Sequence, residues 1–216
     1  ETSAVKWTCE GAGEYTLEDI DKPSRGTTII LHLKPEFVSG DEFNFTDHFT
    51  IESLIKKYSD YIRYPIKMNF HTEDKDKNHI VEVRTVNSMQ PLWTRNKTDI
   101  SEDEYEEFFR HQFHEWEKPM EIFHTKAEGT IEYTALLCIP KRAASNLFFA
   151  DYEPGLQLYS RHVFVMDKCK DFLPDYFRFV KGLVDSPDLP LNVSREILQQ
   201  SRDVKKIGRA LEKNIL

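Results

Sequence analysis

The stretch HTEDKDKNH, residues 71–79, constrains this chain more than any other. From Glu73 to Lys77 five charged side chains follow one another with no apolar residue between them. Such a run stays solvated and is not threaded through a core. It reads as a short charged linker, so residues 1–70 and 80–216 each have to find packing of their own.

Ahead of the linker, AVKWTCE, EYTLEDI and TTIILHLK are separated by GAG and DKPSRG. Those are strand runs broken by turn chemistry, which predicts a three-stranded β-meander over residues 4–34. DHFTIESLIKKYSDYI, residues 47–62, sets Phe49, Leu54, Ile55, Tyr58 and Ile62 near helical spacing. Tyr64-Pro65 ends that helix, and IKMNF continues as a strand.

Beyond the linker, HIVEVRTV alternates like a strand. SEDEYEEFF opens a helix with Ser101 and Glu104 at capping-box spacing, turning Tyr105, Phe108 and Phe109 inward. PMEIFHTKAEGTIEYTALLCIP predicts a β-hairpin turning at Glu128-Gly129. After the apolar turn NLFF, the run GLQLYSRHVFVM reads as one strand. PDYFRFVKGLV reads as a helix with Pro174 in its first turn. The last element, Ser194 to Leu216, is expected to be a helix about 34 Å long. Val204, Ile207, Leu211 and Ile215 form its apolar stripe. Strands and helices mix without a repeat, which predicts an α+β or mixed α/β fold.

Composition excludes several classes. A net charge of −8 argues against a nucleic-acid binder, which would carry a basic face. Apolar runs of a few residues fall far short of the roughly 20 that span a bilayer, so no membrane partner is expected. Cys9, Cys138 and Cys169 are odd in number and far apart, as expected of reduced cytosolic thiols rather than a disulfide frame or a zinc site. The chain begins Glu1-Thr2-Ser3 without methionine, so it is expected to be a piece of a longer protein.

Motifs with chemistry are few. GAGEYT lacks the third glycine of a dinucleotide loop and reads as a tight turn. His111, His114 and Glu115 in HQFHEWE lack the H-E-x-x-H order and a third ligand, so no metal site is assigned. Trp93, in QPLWTRNK, is either core or an exposed contact anchor. Phe148 and Phe149 are adjacent in a loop, so both cannot face inward on a regular element.

LPLNVSREILQQS, residues 189–201, is the most informative segment. Pro187 and Pro190 stiffen its approach, and Asn192 or Ser194 is placed to cap a helix. Arg195 then puts a cation where unpaired N–H groups and the macrodipole already favour an anion. A salt bridge to a nearby acid and a receiver for phosphate oxygens are both open. Gln199 lies one turn further along the same face.

FVKGLVDSPDLPLNVSREILQQS strongly resembles the catalytic-loop segment of the 90-kDa heat-shock chaperone family, bacterial HtpG type. PLWTRNK, GTTIILHLK, EYTALLCIP and LYSRHVFVMD are similar to the same family in the same order, so the resemblance covers essentially the whole chain. It implies a cytoplasmic, homodimeric, ATP-driven chaperone of the stress response that binds partly folded clients and works with a 70-kDa heat-shock partner. Residues 1–70 would be the last strands and helix of the N-terminal nucleotide-binding domain. Residues 80–216 would be the large α/β subdomain of the middle domain, a ribosomal-protein-like β-α sandwich. The resemblance assigns Arg195 to the γ-phosphate of ATP, with Gln199 and Asn192 shaping the loop, and Phe164 to an apolar contact with the N-terminal domain. Trp93, Phe148 and Phe149 match client-binding surfaces. The family segments that carry the adenine pocket, the magnesium-binding asparagine and the general-base glutamate are not in this sequence. ATP and magnesium are therefore expected only in the full-length protein, and one arginine alone is not expected to hydrolyse ATP. The runner-up is a docking module in which Arg195 is structural. A DNA-acting relative of the same fold is disfavoured by the acidic charge.

Overall fold

A computed structural model describes residues 3–11, 13–38, 44–73, 79–189 and 202–216. The chain divides into two compact units, residues 1–44 and 45–216.

In the first unit, β1 (Ser3–Cys9) and β2 (Tyr15–Asp21) pair antiparallel from Ser3↔Asp21 to Cys9↔Tyr15. Gly11 and Gly13, both at positive φ, make the turn that GAG predicts. The expected third strand of the meander does not form. TTIILHLK is assigned to no strand, and Ile29, Ile30 and Leu31 are more than 70% exposed. Strand propensity is realised only where a neighbour supplies ladder hydrogen bonds and a face to bury. Val5, Trp7, Tyr15 and Leu17 are likewise exposed.

The second unit begins before the charged stretch. Helix α1 (His48–Ser59) is capped by Asp47, whose carboxylate accepts from Thr50 N at 2.9 Å. Strands β3 (Lys67–Glu73) and β4 (His79–Thr85) then pair antiparallel from Lys67↔Thr85 to Glu73↔His79. The ends of the expected linker are thus strand residues of a hairpin; residues 74–78 lie outside the described residues. Asn87 locks the base of this hairpin: its Nδ2 donates to Ile62 O and Tyr64 O, and its Oδ1 accepts from Ile66 N.

Helix α2 (Glu102–Phe113) carries the predicted capping box. Ser101 Oγ accepts from Glu104 N, and Glu104 Oε2 accepts from Ser101 N. His114 closes the helix in the left-handed conformation. The main sheet comprises β5 (Pro119–Ala127), β6 (Tyr133–Pro140), β7 (Leu156–Ser160), β8 (Val163–Cys169) and β9 (Lys181–Asp185), in the order β5-β6-β9-β7-β8. The β7–β9 pair is parallel and the others antiparallel. Helix α3 (Arg202–Ile215) ends the chain.

Each face of the sheet packs a core. On one side, Ala135, Leu137, Leu156, Leu158 and Val184 meet Val204, Ile207 and Leu211 of α3, the stripe expected from sequence. On the other, Leu136, Tyr159 and Leu183 surround Trp93, with Tyr61, Tyr105 and Phe108 against them. Successive strand residues go to opposite cores, as the pleat requires.

Two expectations are corrected here. PDYFRFVKGLV is not a helix: only a short 3-10 turn, Asp175–Phe177, follows Pro174, and Lys181–Asp185 is the central strand β9. Gly182 makes that strand possible, because a Cβ there would collide with Leu136 O and stand 2.8 Å from Leu137 Cα. GLQLYSRHVFVM is not one strand but two, reversed at Arg161-His162 with φ of 51° and 68°. Both angles fit a type I′ hairpin turn, although neither residue is the glycine or asparagine that such turns prefer.

Candidate functional site

Arg195, Gln199 and Asn192 lie outside the described residues, as does the first part of the helix expected from Ser194. What the structure does describe is the frame on either side of them. Upstream, β9 ends in a set of fixed groups. Ser186 N donates to Tyr159 O at 3.2 Å, Ser186 Oγ donates to Glu132 O at 2.6 Å, and Asp188 Oδ2 accepts from Glu132 N at 2.8 Å. Leu189 is buried in the same core that receives Val204 of α3. The residues flanking the Arg195 segment on both sides are therefore seated in one hydrophobic cluster.

Asp185, the last residue of β9, is a buried carboxylate with three donors. Trp93 Nε1 donates at 2.9 Å, His162 Nδ1 at 2.6 Å and His162 N at 3.3 Å. Bonded to Asp185, the imidazole is held above its ordinary value, and burial and Arg63 only partly offset this. His162 sits at positive φ, a conformation costing a non-glycine residue about 1–2 kcal/mol; the buried carboxylate supplies the offset. The far side of Trp93 carries a second histidine. His124 Nε2 donates to Trp93 O at 2.9 Å, and its Nδ1 accepts from Tyr105 O–H at 2.7 Å. The carbonyl fixes that tautomer, and burial lowers the His124 pKa, favouring the neutral ring.

Trp93 is thus a core residue, 1% exposed and bonded at both its indole and its carbonyl. This corrects the expectation that it contacts clients, because in this packing it presents no surface. Phe164 is also buried, edge-on to Tyr58 of α1 and to Tyr159. Phe148 and Phe149 are 83% and 63% exposed, so neither faces inward.

Sequence reasoning missed Trp116, which is 95% exposed. Its signal was its setting: in HEWEKP it is flanked by charges between a helix end and a strand-starting proline. Pro119 pairs with Pro140, and Arg142 Nε bonds Glu117 Oε1 at 3.0 Å, so the Trp116 loop and the loop carrying Phe148 and Phe149 leave the same end of β5–β6. Met120, four residues after Trp116, is also exposed. Large apolar side chains held outward on anchored loops are suited to gripping other apolar surfaces.

Nothing described is arranged for nucleophilic or metal chemistry. Burial pushes the Cys138 thiol up to about 12 and Cys169 up to about 11. His111 is exposed, 3.8 Å from Glu107. Among the described residues no group of three or more His, Cys, Asp or Glu could hold a metal ion. None of the described helices is long and apolar enough to cross a membrane.

Comparison with known proteins agrees with the pattern of motifs. The profile of the Hsp90 protein family matches residues 70–216. The chaperone protein HtpG of Mycobacterium avium (strain 104) is 47% identical over 222 residues, covering 100% of this chain and 34% of the relative. HtpG of Mycobacterium leprae (strain TN) is 45% identical over 226 residues, again across 100% of this chain and 34% of the relative. HtpG of Mycobacterium tuberculosis (strain ATCC 25618 / H37Rv) is likewise 45% identical. The chain spans about a third of the length of these relatives. Matched by the family profile over most of its length, this chain belongs to the Hsp90 protein family.

Proposed function

We propose that this chain is the part of an ATP-dependent molecular chaperone that grips partly folded proteins and supplies Arg195 to the γ-phosphate of ATP bound elsewhere in the whole protein. The observation that carries the client-binding half is Trp116, 95% exposed on a loop anchored beside that of Phe148 and Phe149. Unfolded segments expose apolar side chains, and rigid aromatic anchors bind these at low entropic cost.

The catalytic half rests on the flanks of the Arg195 segment. A cation stabilises a phosphoryl-transfer transition state only if it is positioned before the reaction. Ser186, Asp188 and Leu189 on one side and α3 on the other support such positioning. Asn192 and Gln199 would shape the segment. ATP and magnesium would be held by other parts of the whole protein, with residues 1–70 contributing the end of the nucleotide-binding domain, residues 71–79 a short linker and residues 80–216 the middle domain. Phe164 would face that first domain through α1. Homodimerisation, cytoplasmic location and exchange of clients with a 70-kDa chaperone belong to the same reading.

The test is Arg195→Ala in the full-length protein, with ATP affinity and turnover measured separately. Lost turnover with retained binding supports the reading. Unchanged turnover favours a docking module with a structural arginine. Trp116→Ala with Phe148→Ala should weaken suppression of client aggregation while leaving turnover intact.

A further inference from the structure

We propose that His162 is a positioning residue for ATP turnover: by clamping Asp185 it fixes the end of β9 from which the Arg195 segment departs. This rests on the reading of Arg195 above.

The geometry is specific. Tyr105, His124, Trp93, Asp185 and His162 form one hydrogen-bonded series running from α2 through the core to the β7–β8 turn. His162 is its outermost member at the β7–β8 end, its side chain 39% exposed against 5% for Asp185. It grips Asp185 with both its ring and its backbone N–H. The next residue, Ser186, bonds Tyr159 and Glu132, so a shift of Asp185 is transmitted along the exit of the strand.

The charged groups acting on the imidazole are Asp185 on β9 and Arg63 after α1. The nearby phenols of Tyr61 and Tyr159 are raised far above their usual range by burial and stay neutral. Asp185 outweighs Arg63, so the charged ring is favoured in the folded state. A raised value places the full contribution of the clamp below about pH 6.5, the unfolded value, and removes it as pH rises through the folded one. Charge-assisted bonds are roughly twice as strong as neutral ones, so the neutral ring holds Asp185 less tightly.

The experiment uses the full-length protein. The kcat and KM for ATP are measured from pH 6 to 9 for the parent, His162→Gln and His162→Arg. His162→Gln is expected to lower kcat about fivefold at pH 6 with KM unchanged, a deficit that shrinks as pH rises. His162→Arg, with a permanent charge, is expected to keep parental kcat and to flatten the profile. A His162→Gln protein with parental kcat at every pH would overturn the proposal.

Arg195→Ala run in parallel keeps the two ideas separable: retained turnover there defeats the arginine reading and with it any effect of His162 through Arg195, whereas lost turnover there beside a parental His162→Gln defeats this proposal alone. The clamp is then judged by the fluorine resonance of 5-fluorotryptophan at position 93, assigned with Trp93→Phe. A shift that follows one titration in the parent and vanishes in His162→Gln upholds the clamp. A resonance indifferent to pH in the parent refutes it without recourse to any variant.

Discussion

Trp93 and Trp116 offer a contrast that tests how the aromatic residues divide between core and surface. Trp93→Phe deletes the indole N–H that Asp185 accepts at 2.9 Å and leaves a void where the second ring stood. A hydrogen bond to a buried charge contributes about 1.5–3 kcal/mol, and the lost ring adds about 1 kcal/mol of packing. The sum is about 3 kcal/mol. With an m-value of about 2 kcal/mol/M, the urea midpoint should fall by about 1.5 M. Trp116→Ala removes a side chain that is 95% exposed and should stay within about 0.5 kcal/mol of the parent. Both variants are measured by far-UV circular dichroism on the 216-residue chain, whose two units call for fitting two transitions. The same proteins are then assayed for suppression of client aggregation, which of the two variants Trp116→Ala should weaken while remaining folded. A Trp93→Phe midpoint within 0.3 M of the parent (about 0.6 kcal/mol), or a Trp116→Ala loss of similar size to that of Trp93→Phe, would refute the partition.

Gly182→Ala should cost about 3 kcal/mol or more, because the new methyl meets the backbone of Leu136 and Leu137 in the central strand and neither can yield; an unchanged denaturation midpoint would contradict this. His124, with a lowered pKa, contributes stability that is complete above its unfolded value of 6.5 and is lost as pH falls through the folded one. The parent should therefore lose its stability advantage over His124→Gln on acidification, and parallel stability curves from pH 8 to 5 would contradict that. The isolated chain should neither bind ATP tightly nor hydrolyse it, since one arginine supplies a single part of the charge set that phosphoryl transfer needs; turnover by the purified chain above a contaminant control would overturn this.

Where the local code was sufficient, the sequence was legible. The α2 cap follows from Ser101 and Glu104 alone, and the α3 stripe from Val204, Ile207 and Leu211 at helical spacing. The β5–β6 hairpin announced itself by two strand runs around Glu128-Gly129. Strand β9 did not, for a physical reason. A strand buried on both faces loses the alternation that marks a half-exposed one, and KGLVD after PDYFRF shows only a short apolar run that periodicity cannot separate from a helix. The β7–β8 reversal was hidden because Arg161-His162 carries no turn residue; its positive φ values are held in part by Asp185, 23 positions away. TTIILHLK failed the other way, since its propensity is real but its ladder partner is not among the described residues.

The polar series around Trp93 was illegible for the same reason that makes it useful. Asp185 is 92 positions from Trp93, and His124 lies 31 from it, so no local pattern could have connected them. A buried carboxylate is costly unless several donors converge on it. Here they come from the turn before α2 and from the β7–β8 reversal, and both close on the last residue of β9. A purely apolar core would hold the sheet equally well but would leave the strand end free to slide between similar packings. Leu189 and Val204 sit in one cluster, so the described residues on either side of 190–201 are seated in the same core. Under the proposed reading of Arg195 such seating would matter most, because order that precedes binding does not have to be imposed during the reaction.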